Sequence, residues 1–271
     1  MIKSILTAAA LIVSLSGQAK QVAKTPVPAP RTADGKPDLS GVWDHPFVVD
    51  MSKDSTSDRC GASLRGCSQK GPGGAELPMT PWGEEWTRNY NATDYDSSAQ
   101  CNPLGYTRSQ NSPTLTQIVQ TPTQLVFLHE SFFVFHVVYL DGRKHPTFDE
   151  ARETLWYGHS VGHWEGNTMV IDTVGPFFGS PMMILDTRGH PMSDQLHLVE
   201  RFTRPDHDTL GYEITVEDPK AYTRPWKNTR VWKLMPANEE VMEYACQENN
   251  KEVREGLVST KPSEKQKPPD K

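Results

Sequence analysis

Beyond its first residues, this 271-residue chain has no apolar run long enough to cross a bilayer as a helix, which takes about 20 residues. No basic stripe alternates with aromatics: 28 Lys and Arg are scattered among 34 Asp and Glu. The net charge of -6 argues against a nucleic-acid partner. Gly-x-Ser-x-Gly, the Walker loop and Gly-x-Gly-x-x-Gly are all missing. The usual serine-hydrolase chemistry, phosphoryl transfer and nicotinamide chemistry therefore lack their motifs. Cysteine is scarce, with four residues, no CxxC pair and no close histidines of the kind a zinc site needs. No repeat has a solenoid or propeller period.

What is present begins at the ends. Residues 1–19, MIKSILTAAALIVSLSGQA, combine Lys3, a short apolar run and small residues before a cleavage point. That pattern predicts a removed secretory signal, a periplasmic or secreted protein and no transmembrane anchor. Residues 20–37 are rich in Pro, Ala and Lys and read as an extended linker. Residues 258–271 are charged and Pro-rich and read as a disordered tail. A single domain, 38–257, is left between them.

An even cysteine count in an exported chain reads as a disulfide set, with three pairings open to four cysteines. Cys60 and Cys67 enclose the turn-rich GASLRG and can close on themselves. Cys101 and Cys246 would then join the two ends of the domain.

Most of the domain reads as short strands with turns between them. Leu39-Ser-Gly-Val-Trp43, Gln117–Gln120, Gln124–His129, Ser131–Leu140, Gly158–Trp164, Thr168–Val174, Gln195–Arg204, Thr209–Asp218, Arg230–Met235 and Val241–Cys246 carry β-branched, aromatic or alternating apolar residues. The fold class predicted is mostly β: an antiparallel β-barrel or β-sandwich with one or two short helices. One helix is placed near Thr80, a capping residue followed by Pro81 and by Trp82, Trp86 and Tyr90 at four-residue spacing.

GHSVGHWEGNTMVIDTVG, residues 158–175, holds two histidines four apart. In a strand His159 and His163 share a face but lie roughly 13 Å apart, so they cannot grip one ion together. Glu165-Gly166-Asn167 is the predicted turn, with Met169 and Ile171 facing the core. His159 and Asp172 are placed near a cavity rim, and His163 is left out of the site. His136 lies on an apolar face, where a histidine is ordinarily a hydrogen-bonded core residue and otherwise a pocket base. His145 lies in a loop. His45, His190 and His207 sit near turns or prolines and read as surface residues. Glu200 is flanked by Leu198 and Phe202 on one face, so its carboxylate needs a cation or carries a raised pKa. An Arg on a neighbouring strand is its expected partner. Tyr139, Trp164 and Trp226 are candidate lining aromatics; Trp156, Tyr157, Tyr222 and Trp232 suit either packing or a pocket.

The set PDLSGVW, DGRKHP, GHSVGHWEGNTMVIDTVG, ERFTRPDHDTL, TVEDPKAYTRPW and EYACQENN resembles a group of exported bacterial proteins of unassigned function, over roughly residues 37–250. The resemblance implies that His145, His159, Trp164, Glu165, Asp172, Glu200, Asp218 and Trp226 belong to shared motifs. It also contains Cys101 and Cys246 and treats the Cys60–Cys67 segment as a local addition. The opening Gly-x-Trp is similar to the lipocalin start.

Two functions follow as expectations. One is an exported enzyme without an organic cofactor, of lyase, isomerase or hydrolase type, acting on a small, partly apolar molecule. His145 and His159 would be its acid–base pair, Asp172 or Glu200 the orienting carboxylate, and His136, Tyr139, Trp164 and Trp226 the binding residues, with no metal ligand set. The other is a non-catalytic binding protein that holds an apolar ligand in a β cavity. The oligomeric state is not legible.

Overall fold

The computed structural model describes residues 26–53, 77–92, 96–147, 157–175, 184–248 and 250–251. The signal segment 1–19, Cys60, Cys67, Trp156 and the tail 258–271 lie outside the described residues. Nine strands close into a barrel in chain order: β1 Gly41–Asp44, β2 Thr116–Gln120, β3 Gln124–His129, β4 Val134–Tyr139, β5 His159–Glu165, β6 Thr168–Val174, β7 His197–Thr203, β8 Thr209–Glu217 and β9 Trp226–Leu234. The mostly-β class expected from the sequence forms, and of barrel and sandwich it is the barrel. β1 completes it by pairing with β2 on one side and with β9 on the other.

Period-two alternation decides which side chains enter the lumen. In β8, Leu210, Tyr212, Ile214 and Val216 are buried while the residues between them are half-exposed. Met169 and Ile171 of β6, Leu198 and Phe202 of β7, Phe127 of β3, Trp43 and Trp232 join them in one core. The β5–β6 hairpin turns where the sequence places it. β5 ends at Glu165, β6 starts at Thr168, and Gly166 takes φ 62°, a left-handed conformation that a Cβ resists.

Among the described residues two helices flank the barrel. α1, Pro81–Asn89, starts where expected: Thr80 Oγ1 accepts the Gly83 N–H at 3.1 Å, with proline in the first turn. α2, Tyr106–Asn111, has all six residues buried and brings Tyr106 into the core. The Cys101–Cys246 disulfide forms, with Cα atoms 5.4 Å apart.

Five sequence expectations change. The barrel is mixed, because β4 and β5 run parallel; parallel neighbours need a long crossover, here the stretch between Tyr139 and His159. Ser131–Phe133 form a 3-10 turn before β4, with Phe132 at φ 63° and Phe133 at φ 51°. β9 begins at Trp226 rather than Arg230, since its inward residues include polar Asn228 and Arg230, which hide the alternation. Val241–Cys246 forms no strand: with β1 paired to β9, no sheet edge remains there for it to join. Residues 30–37, read as linker, carry contacts that a free linker lacks. Asp38 N–H bonds Pro30 C=O at 2.9 Å, and Arg31 reaches Asn167 Oδ1 at 3.2 Å.

Candidate functional site

The parallel seam is short. Only Val138↔Ser160 and Tyr139↔Val161 pair β4 with β5, so the first half of β4 has no strand beside it on that side among the described residues. A cavity of about 340 Å³ occupies this break in the wall. Phe133, Phe135, Val137, Tyr139 and Tyr157 give it an apolar lining, and His136 and His159 supply the ionisable groups. Among the described residues no Asp, Glu, Lys or Arg lines it. Phe133 and Phe135 stand 52% and 66% exposed at its lip. The positive φ of Phe132 and Phe133 is costly for non-glycine residues and is the kind of strain that collects at functional sites.

His159, at the start of β5, is buried on this cavity and stacks on Tyr139 with ring centroids 5.4 Å apart. The Arg143 guanidinium caps the Tyr139 ring at 3.7 Å. From His159 a polar chain leads along the outer face. His159 Nδ1 meets His145 Nδ1 at 3.0 Å, and His145 Nε2 meets Asp172 Oδ1 at 3.0 Å. His197 Nε2 reaches the same Asp172 oxygen at 3.1 Å, and its Nδ1 reaches Glu217 Oε2 at 3.1 Å. Alternation on β6 turns Asp172 outward, and the register sets Val174 beside His197 so that the two side chains meet.

Protonation follows from these contacts. The hydrogen bond to Asp172, aided by Glu217, raises the His197 imidazole to about 9, so it is a cation at neutral pH. Burial pushes the Asp172 carboxyl up, but its bonds to His197 and His145 and their charge outweigh this and leave its pKa lowered. Burial, with the charges of His145 and Arg143, lowers His159. A neutral His145 that donates Nε2–H to Asp172 must accept at Nδ1. In that arrangement His159 donates from Nδ1, and the lone pair sits on Nε2, which has no hydrogen-bond partner among the described residues.

Glu200 lies one layer further in. Tyr106 donates to one carboxylate oxygen at 2.5 Å and Tyr212 to the other at 2.6 Å. The expected Arg salt bridge is absent: the Arg230 guanidinium lies over the Tyr212 ring at 5.1 Å and acts on Glu200 only through its charge. Burial raises Glu200 to about 7 despite the two tyrosine bonds. Glu200 touches neither His145 nor His159, whereas Asp172 meets His145.

His136 bonds Ser160 Oγ at 2.7 Å through Nε2, and its ring meets Tyr106 at 4.2 Å. Burial drives it down to about 3, so it stays neutral. Its Nδ1 is buried without a partner among the described residues, on the floor of the cavity.

The sequence candidates thus divide. His145, His159 and Asp172 form one chain, and His136 and Tyr139 share the cavity with His159. Trp164 lines a different hollow with Pro122 and Gly162, and Trp226 packs on Tyr222 in the core with centroids 5.4 Å apart. Neither tryptophan reaches the site. His197, Tyr157 and Phe133 belong to it and were not selected. His197 had a signal in its place at the head of an alternating strand, and Tyr157 was read as suiting either packing or a pocket; Phe133 had no signal. His45 and His190, read as surface residues, are buried, whereas His207 is exposed. His45 bonds Thr116, which bonds His129, inside the barrel.

One buried cluster has metal-ligating composition: Asp50, Asp186 and His190. Its oxygens already accept donors. Asp186 takes the Met51 N–H and His190 Nδ1, each at 2.6 Å, and Asp50 takes Ser52 and Lys53 Nζ. The cluster ties two loops together.

A closed β-barrel with buried histidines and carboxylates is the class that fold and site define. No protein-family model matches the chain, and no curated protein matches it.

Proposed function

We propose that the protein is an exported, cofactor-independent acid–base enzyme that acts on a small, partly apolar molecule in the β4–β5 cavity. The observation that carries this reading is the bridge made by His145 between His159 and Asp172, with both contacts at 3.0 Å. His159 Nε2 takes a proton from the ligand while Nδ1–H passes to His145 Nδ1, and the imidazolium so formed on His145 rests against ionised Asp172. His136 and Tyr139 border the bound molecule. Export to the periplasm or medium is supported by the Cys101–Cys246 disulfide and agrees with the exported bacterial group that the motifs resemble. No helix among the described residues is long and apolar enough to cross a membrane.

The uncharged, apolar lining equally favours a second reading, a binding protein for an apolar ligand. Ring opening of 5-nitrobenzisoxazole separates the two, because this flat, neutral compound needs only the removal of one proton. The acid–base reading expects turnover above buffer and a loss of about a hundredfold in His159→Gln, with the melting midpoint nearly unchanged. Saturable binding without turnover leaves the binding protein. Turnover that survives in His159→Gln ends the relay.

A further inference from the structure

The wall gap offers more than apolar surface. Backbone polar groups on a strand point alternately to its two neighbours. Leu140 N–H bonds Thr123 C=O at 2.9 Å, which fixes the phase of the β3–β4 ladder. His136 and Val138 therefore turn their backbone groups to β3, and Phe135, Val137 and Tyr139 turn theirs to the β5 side. The two parallel pairs of the seam, Val138↔Ser160 and Tyr139↔Val161, use the Tyr139 groups and the Val137 C=O. The Phe135 C=O and the Val137 N–H remain, side by side, where the cavity lies. Among the described residues no strand faces them.

An acceptor and a donor spaced like this bracket a single amino-acid residue, whose N–H and C=O complete the ladder as an added strand would. At about 340 Å³ the cavity suits a ligand of that size rather than a folded partner. The described residues of its lining carry no Asp, Glu, Lys or Arg, and His136 is neutral, so none of them selects an anionic or cationic group. We propose that the gap recognises a secondary amide: one apolar residue in extended form, acylated on its nitrogen and amidated on its carbonyl. The proposal rests on the cavity being the ligand site of the preceding section and names the chemistry that the site accepts.

Two probes test it on the full chain: N-acetyl-phenylalanine methylamide, and the analogue with the residue's N–H replaced by oxygen. The methylamide should bind, shift the Phe135 and Val137 amide resonances and slow the hydrogen exchange of Val137. The oxygen analogue should bind at least about tenfold more weakly, because the Phe135 carbonyl loses its donor and faces an ester oxygen. Val137→Pro removes the gap-facing N–H without touching the β3 ladder and should weaken the methylamide by a similar factor. Should that variant not fold, the pair of probes decides alone. Equal affinity for both probes, or no binding of either, overturns the proposal. So does finding the Phe135 and Val137 amides as protected as ladder amides before any probe is added, since the chain itself would then fill the gap. A wild-type protein that discriminates the probes but leaves nitrobenzisoxazole intact keeps the amide site and loses the acid–base reading.

Discussion

His145 and His159 meet nitrogen to nitrogen, Nδ1 to Nδ1, at 3.0 Å. Such a contact holds one proton, not two, so the imidazoles cannot both be cations. A proton arriving on either ring raises the cost of protonating the other.

The two rings should therefore share one proton between them. His145→Phe removes the bridge and frees the His159 tautomer. We expect its 5-nitrobenzisoxazole rate to fall by about tenfold to a hundredfold, with unfolding little changed. Ring-nitrogen chemical shifts provide the second measurement: at neutral pH His159 in the wild type should carry its proton on Nδ1, and in the variant both tautomers should appear. A single Nε2–H tautomer in the wild type would contradict the relay.

Glu200 should make stability depend on pH in a set direction. Its folded pKa of about 7 lies above the ordinary 4.5, so between these values the folded chain holds a proton that the unfolded chain has lost. This contribution is fully present below pH 4.5 and disappears as pH rises through 7. Glu200→Gln keeps a neutral group between Tyr106 and Tyr212 and should flatten that decline. Glu200→Ala leaves two buried hydroxyls without an acceptor and should cost about 2–5 kcal/mol at all pH values. Urea midpoints at pH 5 and pH 8 check both variants.

The Cys101–Cys246 bond closes a loop with a sequence separation of 145. Replacing both cysteines by serine should lower stability by about 5 kcal/mol in the loop-closure account. A reversible denaturant titration measures it. A loss under about 1 kcal/mol would mean that the unfolded chain is already compact enough to make the closure cheap.

Strands with strict alternation were legible: β3 starts and ends where the sequence places it, and the β5–β6 turn falls on Gly166. Legibility failed where a residue's setting depends on distant chain. Asn228 and Arg230 look like surface polars until Met51, Lys53 and Gln110 are brought beside them. The Glu200 partner was sought on a strand, but Tyr106 arrives on a helix 94 residues earlier in the chain. Of the site, His145, His159 and Asp172 were readable because two motifs carry them. The link from Asp172 to His197 needs the β6–β7 register, which no local pattern states. Trp164 and Trp226 were chosen as aromatics within shared motifs, which says nothing about which end of a barrel they occupy.

Seven of the nine ladders carry three to eight paired residues, but β4–β5 and β1–β9 carry two each. Mechanically, the cylinder is a clamshell. β1–β4 and β5–β9 are stiff half-shells stitched along two short hems. Cys101 precedes β2 in one shell, and Cys246 follows β9 in the other. Tyr106, also carried by chain that leads into β2, is riveted to Glu200 of the opposite shell, whose other oxygen holds Tyr212. Force or heat should part the hems before it frays either shell, and one of them borders the hollow where His159 waits.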